Sequence, residues 1–148
     1  MSQSLAKVLV HVIFSTKDRV PMIGNEVRPK LHAYLVGILK NMRCPSLETG
    51  GTVDHVHSLL LLARTKCVAA VVEEMKKSSS KWMKQQGMER FAWQAGYGAF
   101  SIGQSQADVM VRYIARQTEH HRKLSFQDEL RRLLDRYAVP YDERYLWD

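Results

Sequence analysis

The sequence predicts an α+β domain built around an antiparallel sheet, and three observations carry that prediction. Short β-branched runs alternate with amphipathic stretches in the order strand, helix, strands, helix, strand. Further helical stretches follow the last strand. At 148 residues, with 45% hydrophobic and 25% charged positions, the chain suits one soluble domain, residues 1–148, with a real core. This order matches a split βαβ, or ferredoxin-like (RRM-like), sheet with helices on one face and a C-terminal helical extension carrying Tyr113.

Each element has its own signal. "AKVLVHVIFSTK" is rich in β-branched residues and reads as the first strand; "KDRVPMIGNEV" is a loop. Between Glu26 and Met42, Val27, Leu31, Tyr34, Leu35, Ile38, Leu39 and Met42 recur at helical spacing, with Pro29 tolerated in the first turn. "CPSLETGGTV" holds a short strand and a turn before "HVHSLLLLA". Val68 to Gln86 reads as a second helix, apolar through Val68, Val71, Val72 and Met75 and basic through "KKSSSK". "GYGAFSIG" reads as a strand with close backbone approach at Gly96 and Gly98. Ser105 to Gln117 is a third helix with Ser105 as its cap, and Ser125 caps a fourth, "FQDELRRLLDRY".

Composition narrows the function. The net charge of +7 and pI of 9.6 point to a polyanion, most often nucleic acid. Two cysteines, Cys44 and Cys67, are too few for a secreted disulfide scaffold and fit a reducing cytosol. They form no Cys-x-x-Cys pair, which excludes a zinc ribbon. The N-terminal apolar run is broken by His11 and followed by charges, so it reads neither as a signal peptide nor as a membrane span.

"VDHVHSLLLL" places two histidines at the start of an apolar run. Residues two apart on a strand point the same way, so His55 and His57 share the open face while Val56 faces the core. Two neutral imidazoles on one face suit a divalent metal; equally, one can be a core histidine and the other a surface one. On the third helix Tyr113 and Gln117 lie four apart and share a face. The Gln117 carbonyl is a candidate third ligand and the Tyr113 hydroxyl a candidate nucleophile for phosphodiester chemistry; the alternative for a tyrosine on an amphipathic helix is packing.

"DHVH" followed by "YIARQ" closely resembles the single-tyrosine HUH transposases of the insertion-sequence 200/605 group and their REP-associated relatives. "HVIFSTKDR", "KKSSSKW", "WQAGYGAFSIG", "YIARQTEHHR", "FQDEL" and "YDERYLWD" resemble the same family, in order and over nearly the whole chain. The resemblance implies a magnesium or manganese ion held by His55, His57 and Gln117. It implies cleavage of hairpin-bearing single-stranded DNA by Tyr113, which becomes joined to a 5′-phosphate and leaves a free 3′-hydroxyl. It also implies a prokaryotic cytoplasmic protein, and a homodimer in which one subunit's tyrosine helix can complete the other's site, although REP-associated relatives can be monomeric.

The remaining residues carry two readings each. Asp54 orients an imidazole or turns the chain into the strand. His120 and His121 mark a helix end, or His121 reaches DNA phosphate. His11 reads as structural and Trp82 as core. Lys76, Lys77, Lys81 and Lys84, with Ser78 to Ser80, form a phosphate-binding or merely solvated face. Lys17 and Arg19 extend such a groove, Arg112 and Arg116 flank the tyrosine, and Trp93, in a loop, offers a base-stacking platform. Two other functions compete. One is a non-catalytic ferredoxin-like module that binds single strands or REP hairpins. The other is a small zinc hydrolase, which lacks an evident third histidine or carboxylate ligand.

Overall fold

The computed structural model describes residues 2–121 and 123–148. Strand β1 (Leu9–Ser15) is followed by α1 (Arg28–Asn41), β2 (Ser46–Gly51), β3 (His55–Leu61), α2 (Val68–Gln85) and β4 (Gly98–Ile102). Three further helices follow: α3 (Ala107–Ala115), α4 (Gln117–His120) and α5 (Phe126–Arg136). The sheet order is β2-β3-β1-β4, and every pairing is antiparallel. This is the ferredoxin-like arrangement that the order of elements predicts.

Strand alternation divides the sheet into two faces. Val10, Val12, Phe14, Val56 and Leu60 pack with Leu31, Leu35 and Leu39 of α1 and with Val71, Val72, Met75 and Met83 of α2. Pro29 lies in the first turn of α1, where its missing N–H costs nothing. On the opposite face, Ile13 and Phe100 pack with Phe126, Leu130, Leu133 and Leu134 of α5. Beside them Leu9, Leu59 and Ile102 pack with Ala107 and Ile114 of α3. Both faces are therefore covered, which is why all seven residues of β1 are buried. The face that carries the histidines is not open, as alternation alone suggested: the C-terminal helices roof it.

The third helix differs from its sequence reading. A short 3-10 turn occupies Gln104–Gln106, Ser105 caps nothing, and helical geometry breaks at Arg116 (φ −103, ψ 22) before α4. Ser125 does cap α5, accepting from the Asp128 N–H at 3.1 Å. Two glycines allow close approach. A Cβ at Gly98 would lie 2.9 Å from the Ile13 side chain, and one at Gly50 would lie 2.6 Å from the Ile114 carbonyl oxygen. Only glycine at position 50 lets β2 run this close to the end of α3.

Two expectations for α2 and its loop are corrected. Trp93 is not a stacking platform: it is 9% exposed, wedged edge-on against Phe14 and Phe91, and its indole N–H donates to Ser79 Oγ at 2.9 Å. The loop bends it inward because this N–H finds a buried partner there. Lys76 is not a free phosphate contact either. Its ammonium donates to the carbonyls of Gln94, Ala95 and Gly96 at 2.8, 3.1 and 2.6 Å, which uses all three of its protons. Of the serines beside it, Ser78 donates to Glu74 and Ser79 is buried.

Replacement of Lys76 by Met removes three charge-assisted hydrogen bonds, and the variant is expected to lose about 1–3 kcal/mol of stability. Thermal melting followed by circular dichroism measures this, and an unshifted midpoint would show that the three carbonyls gain nothing from the ammonium.

Candidate active site

The roofed face holds a strip of polar side chains between its two apolar clusters. His11 on β1 and His55 and His57 on β3 are all 0% exposed. Gln117, the first residue of α4, is 1% exposed, and Glu129 on α5 is 2% exposed. The close passage at Gly50 brings the end of α3 over β3, so the break at Arg116 delivers Gln117 to His55. Helix α5 is anchored by Phe126, Leu130, Leu133 and Leu134, and the same stripe carries Glu129 inward.

Hydrogen bonding fixes the imidazoles. His55 Nδ1 lies 2.8 Å from Asp54 Oδ1, and Thr52 Oγ1 donates to the same oxygen at 3.0 Å. A carboxylate only accepts, so His55 Nδ1 carries a proton and points it at Asp54, which turns Nε2 inward. Nε2 lies 3.0 Å from Gln117 Oε1 and 3.5 Å from Glu129 Oε1. One imidazole nitrogen and two side-chain oxygens thus converge in a buried space, an environment that a cation satisfies. Ligand atoms of His55, His57, His121 and Glu129 all lie within 4.8 Å of one another. Imidazole nitrogens with a carboxylate oxygen form a donor set that fits a divalent metal ion.

His57 is held at both nitrogens. Nε2 donates to Glu129 Oε1 at 3.1 Å, so Nδ1 accepts from His11 Nε2 at 2.7 Å. The two rings stack with centroids 5.0 Å apart. His121 Nε2 also meets Glu129 Oε1, at 2.9 Å. The Tyr113 hydroxyl donates to Glu129 Oε2, and Gln117 Nε2 donates to the same oxygen at 3.2 Å. The ring centroid of Tyr113 is 5.8 Å from that of His57. The tyrosine that faces the histidines is therefore the same chain's own.

Electrostatics follow from burial. Burial pushes the Glu129 carboxyl up, but hydrogen bonds from His121 and His57 outweigh it and hold the group well below the usual carboxylate range. Burial, then the Glu129 charge, pushes the Tyr113 hydroxyl upward. The resting pair is an ionised carboxylate and a protonated tyrosine. Burial lowers His57 to about 4, against the pull of Glu129, and lowers His11 to about 3. The Asp54 carboxyl is drawn below its ordinary value by its bond to His55, in spite of burial.

A cleft between α3 and α5 leads to Tyr113 and Glu129. Its rim carries Arg112, Arg116, Lys123, Arg132 and Arg136, with Glu119 as an acidic member. Among the described residues none of these four guanidinium groups has a carboxylate within ion-pair reach. Lys17 is exposed just beyond the end of β1 that pairs with His55; nearby, the Arg19 guanidinium lies 5.5 Å over the Trp147 ring. Lys77 and Lys81 are exposed on α2, across the sheet from the histidines.

The structure thus brings together His55, His57, Gln117, Tyr113 and Asp54, and leaves Lys76, Lys77, Lys81 and Trp93 outside the cluster. Sequence reasoning missed Glu129 and set His11 aside as structural. It weighed His121 only for phosphate or a helix end, and it did not single out Arg132 and Arg136. The absence of a third histidine or carboxylate, which counted against a zinc hydrolase, is corrected by His121 and Glu129. A signal for Glu129 was present: it lies three residues after Phe126 and four before Leu133, on the apolar stripe of α5, where a carboxylate needs a buried partner.

His11, His57 and His32 (lowered to about 4, first by burial) stay neutral in the fold below their ordinary 6.5. The unfolded chain therefore binds more protons between about pH 4 and 6.5, and stability falls as pH drops through that window. The expected slope reaches about 1.4 kcal/mol per pH unit for each histidine. Urea unfolding of the metal-free protein at about pH 7, 5.5 and 4.5 measures it. A flat or rising midpoint on acidification would show that these rings take up protons in the folded state.

Comparison with known proteins places the chain in a family. The family model "Transposase IS200 like" matches residues 4–117. No curated protein matches the chain. Among solved structures, a protein of Deinococcus radiodurans R1 assigned as a transposase aligns with a TM-score of 0.61 and 22% identity, covering 79% of this chain and 98% of that one. A REP-associated tyrosine transposase bound to a REP hairpin aligns with a TM-score of 0.61 and 15% identity, covering 82% of this chain and 74% of that one. Both likenesses are likenesses of fold. The family match spans well over half of the 148 residues: the chain belongs to the IS200-like transposase family.

Proposed function

We propose that this transposase cuts and rejoins hairpin-bearing single-stranded DNA, with Tyr113 as nucleophile and a divalent metal ion at the histidine cluster. The observation that carries the reading is the Tyr113 hydroxyl, hydrogen-bonded into the same buried cluster that gathers His55, His57 and Gln117. His55, His57 and Gln117 would hold magnesium or manganese, with His121 and Glu129 within reach of the same ion. Such an ion, when bound, polarises a phosphodiester oxygen and stabilises the charge that develops on it.

The chain's own groups do the rest. Asp54 holds the His55 ring so that Nε2 faces inward. Arg112 and Arg116, on the rim beside Tyr113, steady the phosphate. Tyr113 Oη attacks phosphorus, becomes joined to the 5′-phosphate, and frees the 3′-hydroxyl of the cut strand. Attack by a second 3′-hydroxyl on that linkage restores the tyrosine and joins the strands. Because Tyr113 meets its own chain's histidines, one chain supplies one complete site; a homodimer would serve to bring two strand ends together.

The hairpin-bound fold relative supports a hairpin as the structured part of the substrate. Lys17, Arg19, Lys77 and Lys81 supply further phosphate contacts, the latter two on the layer behind the sheet. The setting we infer is the prokaryotic cytoplasm, with residues 1–148 acting as one domain. No helix among the described residues is long and apolar enough to cross a membrane.

Incubation with labelled hairpin-bearing single strands and manganese is expected to give a protein–DNA adduct that survives denaturing electrophoresis. Tyr113→Phe should abolish the adduct, and Asp54→Ala should weaken metal binding roughly 10- to 100-fold. An adduct that persists in Tyr113→Phe sinks the nucleophile assignment; cleavage with no adduct from the wild type points instead to a water nucleophile. Mixing His55→Ala with Tyr113→Phe protein should restore no cleavage at any ratio. Restored activity would mean that tyrosines cross between subunits.

A further inference from the structure

Glu129 lies twelve residues beyond Gln117, where the family match ends. Its two carboxylate oxygens face different groups. Oε1 meets the Nε2 atoms of His121 and His57 at 2.9 and 3.1 Å, with His55 Nε2 at 3.5 Å. Oε2 turns the other way, toward the cleft, and accepts the Tyr113 hydroxyl and the Gln117 amide. Among the described residues this is the one hydrogen bond that the Tyr113 hydroxyl makes. The carboxylate is 2% exposed and sits on a capped helix locked by four apolar anchors, so its position is preset.

A phenol attacks phosphorus only as its proton leaves, and a carboxylate already hydrogen-bonded to that proton accepts it with no rearrangement. We propose that Glu129 is the proton acceptor for Tyr113. The step rests on the reading of Tyr113 as nucleophile. As the Oη–phosphorus bond forms, the Tyr113 hydroxyl proton passes to Glu129 Oε2. The phosphorus–O3′ bond breaks, its electron pair leaves with the 3′ oxygen, and that oxygen takes a proton from water. In the rejoining step the attacking 3′-hydroxyl gives its proton to water as its oxygen bonds to phosphorus, the phosphorus–Oη bond breaks, and the departing Oη takes its proton back from Glu129. Oε1 faces the imidazoles while Oε2 faces the hydroxyl, so one side chain ties the nucleophile to the histidine cluster.

The test is single-turnover adduct formation at saturating manganese, with manganese affinity of each protein measured separately by calorimetry. Glu129→Gln, nearly the same shape, is expected to slow adduct formation roughly 10²- to 10⁴-fold. Placing the more acidic 3,5-difluorotyrosine at position 113 should shrink that deficit by at least about tenfold, because a better acid needs the acceptor less. A positioning role alone leaves the deficit unchanged and overturns the proposal. So does a Glu129→Gln protein that, once saturated with manganese, forms the adduct at the wild-type rate. Glu129→Asp, which keeps a carboxylate farther back, is the second variant should Gln disturb folding, and the same fluorotyrosine comparison decides it. Failure of the underlying function shows separately, as no Tyr113 adduct from the unaltered protein, and takes this step down with it.

Discussion

The Glu129 carboxylate under the C-terminal helices is the contact on which the rest of the site depends. It joins a strand, α3, α4 and its own α5 through the side chains of His57, Tyr113, Gln117 and His121. A buried charge is costly unless hydrogen bonds surround it, and here each oxygen has at least two polar neighbours. The arrangement is therefore mutually dependent. The helices need the carboxylate's partners on the strand, and the strand's histidines need a polar partner above them. The same contact makes the site specific in shape, because moving any one element by a hydrogen bond's length strands a buried polar atom.

The sheet is what lets this happen. Covered by α1 and α2 on one face, it offers its other face to the C-terminal helices. That second face is apolar at both ends, with the histidines between. The apolar ends supply the burial that holds α3 and α5 down, and the polar middle is sealed as a consequence. Gly50 removes the one Cβ that would hold α3 away from β2. Electrostatically the result is a small ionised core beneath a rim of guanidinium groups that, among the described residues, have no carboxylate within ion-pair reach.

How much of this was legible in the chain varied by kind. Period-2 and period-3.6 patterns located β1, α1, β3, α2, β4 and α5 within a residue or a few, because one buried face suffices to impose a period. Tyr113 and Gln117 were legible as a pair at helical spacing. Glu129 was overlooked because "FQDEL" reads as an ordinary charged surface until its position on the apolar stripe is weighed. Trp93 and Lys76 were misjudged for the converse reason. A tryptophan in a loop and a lysine in a basic run look exposed in one dimension, yet each found a buried or half-buried partner contributed by a segment distant in sequence.

Local pattern thus determined the order of elements, their faces, the basic balance and the side-by-side placement of His55 and His57. Those properties depend on neighbours a few residues away. Tertiary structure decided the rest: that the histidine face is roofed, that the tyrosine meets its own chain's histidines, and that Glu129 and His121 join them. Such contacts span from eight to more than seventy residues. They are set by how two apolar clusters clamp α3 and α5 onto one sheet face, a constraint that no local period records.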